Sequence, residues 1–170
     1  MYADGKMTAE LGQLLELEIS GPEIKVIYDH GDKQNENVGA ISAYYDELRR
    51  DTKLAEIDIA ILDKDDNVIL LIEVEESDDR PKTIIGDAMT IFLSDGIAFK
   101  GETKKPNSDG IILLILFREP ESGHEERNRK IEEKLNRLLS GEIINKLKII
   151  RVKVAPYQTT ENMKKKYLKN

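Results

Sequence analysis

The chain has 170 residues, with 26 Lys and Arg against 33 Asp and Glu, a net charge of -7 and no cysteine. That length suits one domain over residues 1-170 with its own core, and the missing cysteines exclude disulfides, thiolate nucleophiles and cysteine-based zinc sites. No apolar run approaches the ~20 residues of a membrane span and no signal sequence opens the chain, so a cytoplasmic protein without a membrane partner is expected.

Residues 8-19 place Leu11, Leu14, Leu15 and Ile19 at helical spacing before Gly21 and Pro22 end the run. Residues 23-28 read as a short strand and 29-32 as a turn. Val38, Ile41, Tyr44, Tyr45 and Leu48 then predict a second helix over 36-50. Two strand-like runs follow, 55-62 and 68-75, joined by a turn at 64-67. Ser77, Asp78 and Asp79 offer caps and Arg80-Pro81 an entry for a helix over 81-94, whose stripe is Ile84, Ile85, Ala88, Met89 and Phe92.

Residues 96-100 read as a short extended piece and 102-109 as a mobile loop. The unbroken apolar run 111-117 predicts a strand at the sheet centre, covered on both faces. Residues 124-140 return to helix, with Ile131, Leu135, Leu138 and Leu139 inward and the pairs Glu126-Lys130 and Glu133-Arg137 outward. A last strand over 147-155 is expected to stop at Pro156. The order predicts an α/β fold with one mixed sheet flanked by helices.

The informative residues are acids inside the greasy strands. Side chains alternate along a strand, so Glu56 and Asp58 share one face of 55-62 while Ile57, Ile59 and Ile61 share the other; Glu73 and Glu75 stand together opposite Ile72 and Val74. Buried carboxylates are costly unless a cation sits among them, and a divalent metal is the usual one. An Asp ending one strand of a hairpin and an acid-x-Lys on the next resembles the PD-(D/E)XK nuclease superfamily, with Asp58 and Glu73 at its first two acidic positions. Glu75 stands where that motif has Lys. The resemblance covers residues 36-117.

The resemblance implies a restriction-endonuclease-like fold, with 35-48 as the first core helix, then the hairpin, helix 81-94 and strand 111-117. It implies an Mg²⁺- or Mn²⁺-dependent endonuclease hydrolysing DNA phosphodiesters, with Asp58, Glu73 and the Val74 carbonyl as metal ligands. Glu75 would orient or deprotonate the attacking water, or hold a second ion. Lys82, at the start of the next helix, would replace the missing motif Lys; a further helix acid would be Glu36 or Glu47. Many members act as dimers, so a homodimer is compatible with it.

Other readings stand beside this one. The net charge counts against nucleic-acid binding, since phosphate contacts rest on Lys and Arg. A basic tail at 161-170 reads first as a frayed terminus and second as part of a basic rim with Arg80, Lys82, Lys100, Lys104 and Lys105. The missing Lys leaves open a catalytically inactive nuclease-fold binding module or a protein-interaction domain. Glu56 reads as a salt bridge at a strand start, and Glu76, Asp78 and Asp79 as a strand emerging into water. His30 and His124 read as loop and helix-start residues, too far apart for a zincin pair, and no phosphate-binding Gly motif or Gly-x-Ser-x-Gly elbow is present.

Overall fold

A computed structural model describes residues 5-76, 80-118, 124-141 and 145-157. Its elements are α1 (Lys6–Ile19), β1 (Ile24–Tyr28), β2 (Ile41–Tyr44), β3 (Lys53–Ile57), β4 (Ile59–Asp63), β5 (Val68–Glu75), α2 (Pro81–Phe92), β6 (Gly96–Phe99), β7 (Glu102–Lys104), β8 (Ile111–Arg118), α3 (Glu125–Leu139) and β9 (Ile149–Tyr157). They make a mixed α/β fold with two sheets, where the sequence predicts one. The five-stranded sheet runs β1-β4-β5-β8-β9 and the four-stranded sheet β3-β2-β6-β7.

In the larger sheet β1, β4 and β5 are antiparallel, while β8 runs parallel to β5 and β9 parallel to β8. Period-two alternation sorts its residues between two cores. Ala60, Leu62 and Leu71 meet Ile84, Ala88 and Phe92 of α2 and Ile131 and Leu135 of α3. Ile59, Ile61, Ile72 and Val74 point the other way, toward Met7, Leu11 and Leu15 of α1. The smaller sheet closes the first core with Ile41, Ala43, Ile57, Ile97 and Phe99.

The predicted helix over 36-50 is a correction. Ile41, Ala43 and Tyr44 are buried in β2, which is held on both sides by β3 and β6, and residues 50-52 form a single 3-10 turn. Asn35, Asn37 and Gly39 lie in the turns before it, and the bulky Tyr44 ring lies over Gly96, where an added Cβ would stand 2.3 Å from the Tyr44 hydroxyl. Two flanking strands offer this segment a backbone ladder, which outweighs a helical spacing of a few apolar residues.

The strand predicted over 55-62 is likewise broken. Asp58 lies between β3 and β4, at the point where the chain leaves the small sheet for the large one. Part of the predicted loop 102-109 is strand, because β7 pairs with β6 and buries Lys104 against Asp66 and Glu102. β8 is interior, second from the edge, and its Ile112 stays 36 % exposed. β9 continues through Pro156; as an edge strand it loses nothing by a missing N–H on its open side. In α3 Lys130 reaches Glu126 at 3.3 Å as expected, but Glu133 pairs with Arg129.

α1 lies unusually close to β1. An added Cβ on Gly12 would come within 2.3 Å of the Tyr28 ring, so only a glycine lets the two elements meet here. The Tyr28 hydroxyl donates to Glu16 at 2.9 Å, and Glu16 also accepts from the side-chain amides of Asn35 and Asn37. Burial and then the Glu16 carboxylate push the Tyr28 hydroxyl up to about 12, so it remains a donor at any ordinary pH. No helix among the described residues is long and apolar enough to cross a membrane.

Candidate carboxylate site

The site forms where β4 begins and β5 runs on past it, still paired with β8 on its other side. The register that pairs Ile59 with Ile72 puts Asp58 across from Glu73, side chains on the same face. Because the chain passes between the small sheet and the large one at Asp58, β5 beyond Ile72 has no backbone ladder on its β4 side. The Asp58 carboxylate takes over, accepting the Val74 N–H at 2.7 Å through Oδ2. Its Oδ1 accepts the Thr8 hydroxyl at 3.0 Å, and its own carbonyl accepts the Asp29 N–H at 2.9 Å.

Glu73 is 9 % exposed and touches Asp58 twice, accepting its backbone N–H and sharing a hydrogen bond between the two carboxyl groups. A hydrogen bond between two acids requires one proton, and the shifts say which acid carries it. Burial first, then the charges of Asp58 and Asp87, push Glu73 well above the usual carboxylate range. Burial also raises Asp58, but the Val74 N–H, the Thr8 hydroxyl and the nearby His30 work against it. Glu73 is therefore the member of the pair held more strongly toward its protonated form.

Asp87 is the residue that the sequence reading missed. It lies half-buried on α2, and burial, then Glu75 and Asp58, raise it to about 6. Glu75 sits on the same face of β5 as Glu73 and acts on Asp87 by charge. Acids from β5, α2 and the β3–β4 junction thus converge, and no Lys or Arg of the described residues is among the charges that shift Asp58, Glu73 or Asp87. His30, at 47 % side-chain exposure, lies near enough to act on Asp58.

The other expected residues fall elsewhere. Lys82 is exposed on α2, five residues and so about 140° around the helix from Asp87. Glu36 and Glu47 are exposed outside the site; their carbonyls accept from Lys100 and Thr52. Glu56 is exposed and paired with Lys53, as expected of a strand-start acid. Val74 contributes its N–H to Asp58. Glu76 does not simply run into solvent: its Oε1 accepts the N–H groups of Met7 and Thr8 at 2.8 and 3.2 Å, capping α1 from the end of β5. Asp78, Asp79 and the basic tail lie outside the described residues.

Among the described residues no set of three or more His, Cys, Asp or Glu is gathered closely enough to hold a metal ion as it stands. The donor chemistry nevertheless suits a hard cation. Both Asp58 oxygens retain acceptor capacity, and Glu73 needs only to lose its proton to offer a second carboxylate. Comparison with models of protein families, with curated proteins and with solved structures finds no match for this chain.

Proposed function

We propose that the protein is a metal-dependent nuclease of the PD-(D/E)XK type, hydrolysing DNA phosphodiesters at Asp58 and Glu73. The observation that carries this reading is the buried Asp58-Glu73 carboxyl pair with no Lys or Arg among the charges acting on it. The order of elements also supports it: α1, the antiparallel β1, β4 and β5, then α2 and the parallel β8 repeat the superfamily's helix, antiparallel strands, helix, strand. In this reading α1 would take the place that the sequence alone gives to residues 35-48.

A bound Mg²⁺ or Mn²⁺ would polarise a phosphoryl oxygen and neutralise the charge that develops there. Asp58 and Glu73 would hold it through carboxylate oxygens, with the Val74 carbonyl as third protein ligand. Thr8 and the Val74 N–H fix the Asp58 carboxylate in one orientation, so that Glu73 is the group that changes protonation state. Glu75 would accept the proton of the attacking water. Asp87 helps hold Glu73 at raised proton affinity until cation charge arrives, which would couple metal loading to proton release.

A catalytically inactive nuclease-fold module is the second reading. It is favoured by Glu75 at the motif Lys position and by the exposed, distant Lys82. Incubation of supercoiled and single-stranded DNA with Mn²⁺ separates the two. The nuclease cuts, and Asp58→Ala loses at least about 10³-fold in rate, as expected when several kcal/mol of transition-state stabilisation goes. Cleavage that survives Asp58→Ala comes from a contaminant and ends the proposal.

A further inference from the structure

The four-stranded sheet buries one face in the core and leaves the other open. On the open face Ser42 pairs with Ala98 across β2 and β6, and with Ala40 and Gly101 they floor a groove of about 470 Å³. Its walls are Arg49, Arg50, Lys53 and Lys100. Four of its nine lining residues are cationic and none is acidic, in a chain whose net charge is -7. We propose that this groove binds the sugar-phosphate backbone of a nucleic acid, apart from the carboxylate site.

The cations are available to a polyanion. Arg50 has no carboxylate partner among the described residues. Arg49 stands 3.9 Å from both Asp46 and Asp51, and Lys53 pairs with Glu56 at the surface. Exposed pairs of this kind contribute about 0–1 kcal/mol each, so phosphates displace them at little cost. Lys100 donates to the Glu36 carbonyl at 2.6 Å and lies over the Phe99 ring, which holds its ammonium at the groove wall.

The floor decides between kinds of partner. Protein partners bind through several large side chains seated in desolvated pockets, and beside its cations this groove offers a single one, Leu48, over a lining of Ala, Ser and Gly. A phosphate backbone needs charge and a surface it can approach closely, which small residues and two arginine forks give. Lys53 opens β3 and Asp58 directly follows it, five residues and at most about 17 Å apart, so β3 links the groove to the carboxylates. The inference takes its nucleic-acid class from the proposed function but needs neither metal nor cleavage.

Fluorescence anisotropy with labelled single-stranded and duplex oligonucleotides, in EDTA, tests it. Four phosphate contacts give a log-log salt slope of about -3 for a single strand or -4 for a duplex, so that affinity falls about 50- to 150-fold between 50 and 200 mM salt. The variant Arg49→Gln, Arg50→Gln, Lys53→Gln, Lys100→Gln, with an unchanged melting temperature, should lose at least about 30-fold at 50 mM salt and most of the slope. The two arms tell which form fits. A four-site variant that binds as tightly as the original, an original chain that fails to bind at 50 mM salt, or a variant altered only in sedimentation as a dimer each overturns the proposal. Asp58→Asn should bind normally without cutting; a chain that binds but never cuts removes the nuclease reading and leaves the groove.

Discussion

At the residue scale the decisive fact is that burial, together with neighbouring acids at Glu73 and Asp87, raises Asp58, Glu73 and Asp87 alike. Asp87→Asn removes one like charge facing Glu73 and Asp58. The sign follows from linkage: acids raised in the folded state contribute most stability below their unfolded values near 4, and lose it as pH climbs through their folded values. In metal-free buffer the substitution should therefore stabilise the protein by about 1 kcal/mol at pH 7.5, or about 2–4 °C in Tm, and by almost nothing at pH 4. Thermal melts at the two pH values check it; an equal effect at both would mean that Asp87 acts through packing. Lys82→Ala should change the cleavage rate by less than about threefold, because its exposed position lies away from the acids. Asp58 and Glu73 were legible because the hairpin register fixes which strand residues meet. Asp87 was not, since one Asp among the polar positions of an amphipathic helix carries no sign of which strand end it will face.

At the scale of elements, what was legible depended on whether one periodicity had a rival. α1, α2 and α3 show apolar stripes with no competing alternation, and each forms within a few residues of its expected bounds. Residues 41-45 satisfy both periods, and the partner that decides, β6, lies more than 50 residues away in sequence. The break at Asp58 was illegible for the same reason, as local sequence does not show that β3 pairs with β2 while β4 pairs with β1 and β5. Two helix glycines give this scale its prediction. Gly12→Ala drives a methyl within 2.3 Å of the rigid Tyr28 ring and should cost about 1–3 kcal/mol. Gly86→Ala, on the open side of α2 with nothing within 4 Å, should gain about 0.5–1 kcal/mol from helix propensity and the stiffer unfolded chain. Chemical denaturation of the pair measures both signs. If Gly12→Ala leaves stability unchanged, α1 is not held by its close approach to Tyr28.

For the whole molecule the proposed metal and the proton compete for one site, and that competition can be read in global stability. Without metal, folding must keep Glu73 protonated or set it as an anion beside Asp58 and Asp87, so Tm should fall as pH rises from about 5 to 8. A divalent cation replaces the proton as the positive charge among the acids and should reverse the trend. At 100 times its dissociation constant it adds about 2.7 kcal/mol, which for a chain of this length is about 5–10 °C in Tm. The increment should be largest near pH 8, where no proton has to leave, and should shrink toward pH 5. EDTA should abolish it, whereas added NaCl should not reproduce it, because the site is partly buried and screened only weakly by monovalent salt. The double variant Asp58→Asn, Glu73→Gln lacks both charges. It should melt at one temperature with or without Mn²⁺, and its pH dependence should flatten. Identical metal-induced shifts in this variant and the original chain would place the ion somewhere other than between β4 and β5, and the nuclease proposal would lose its footing.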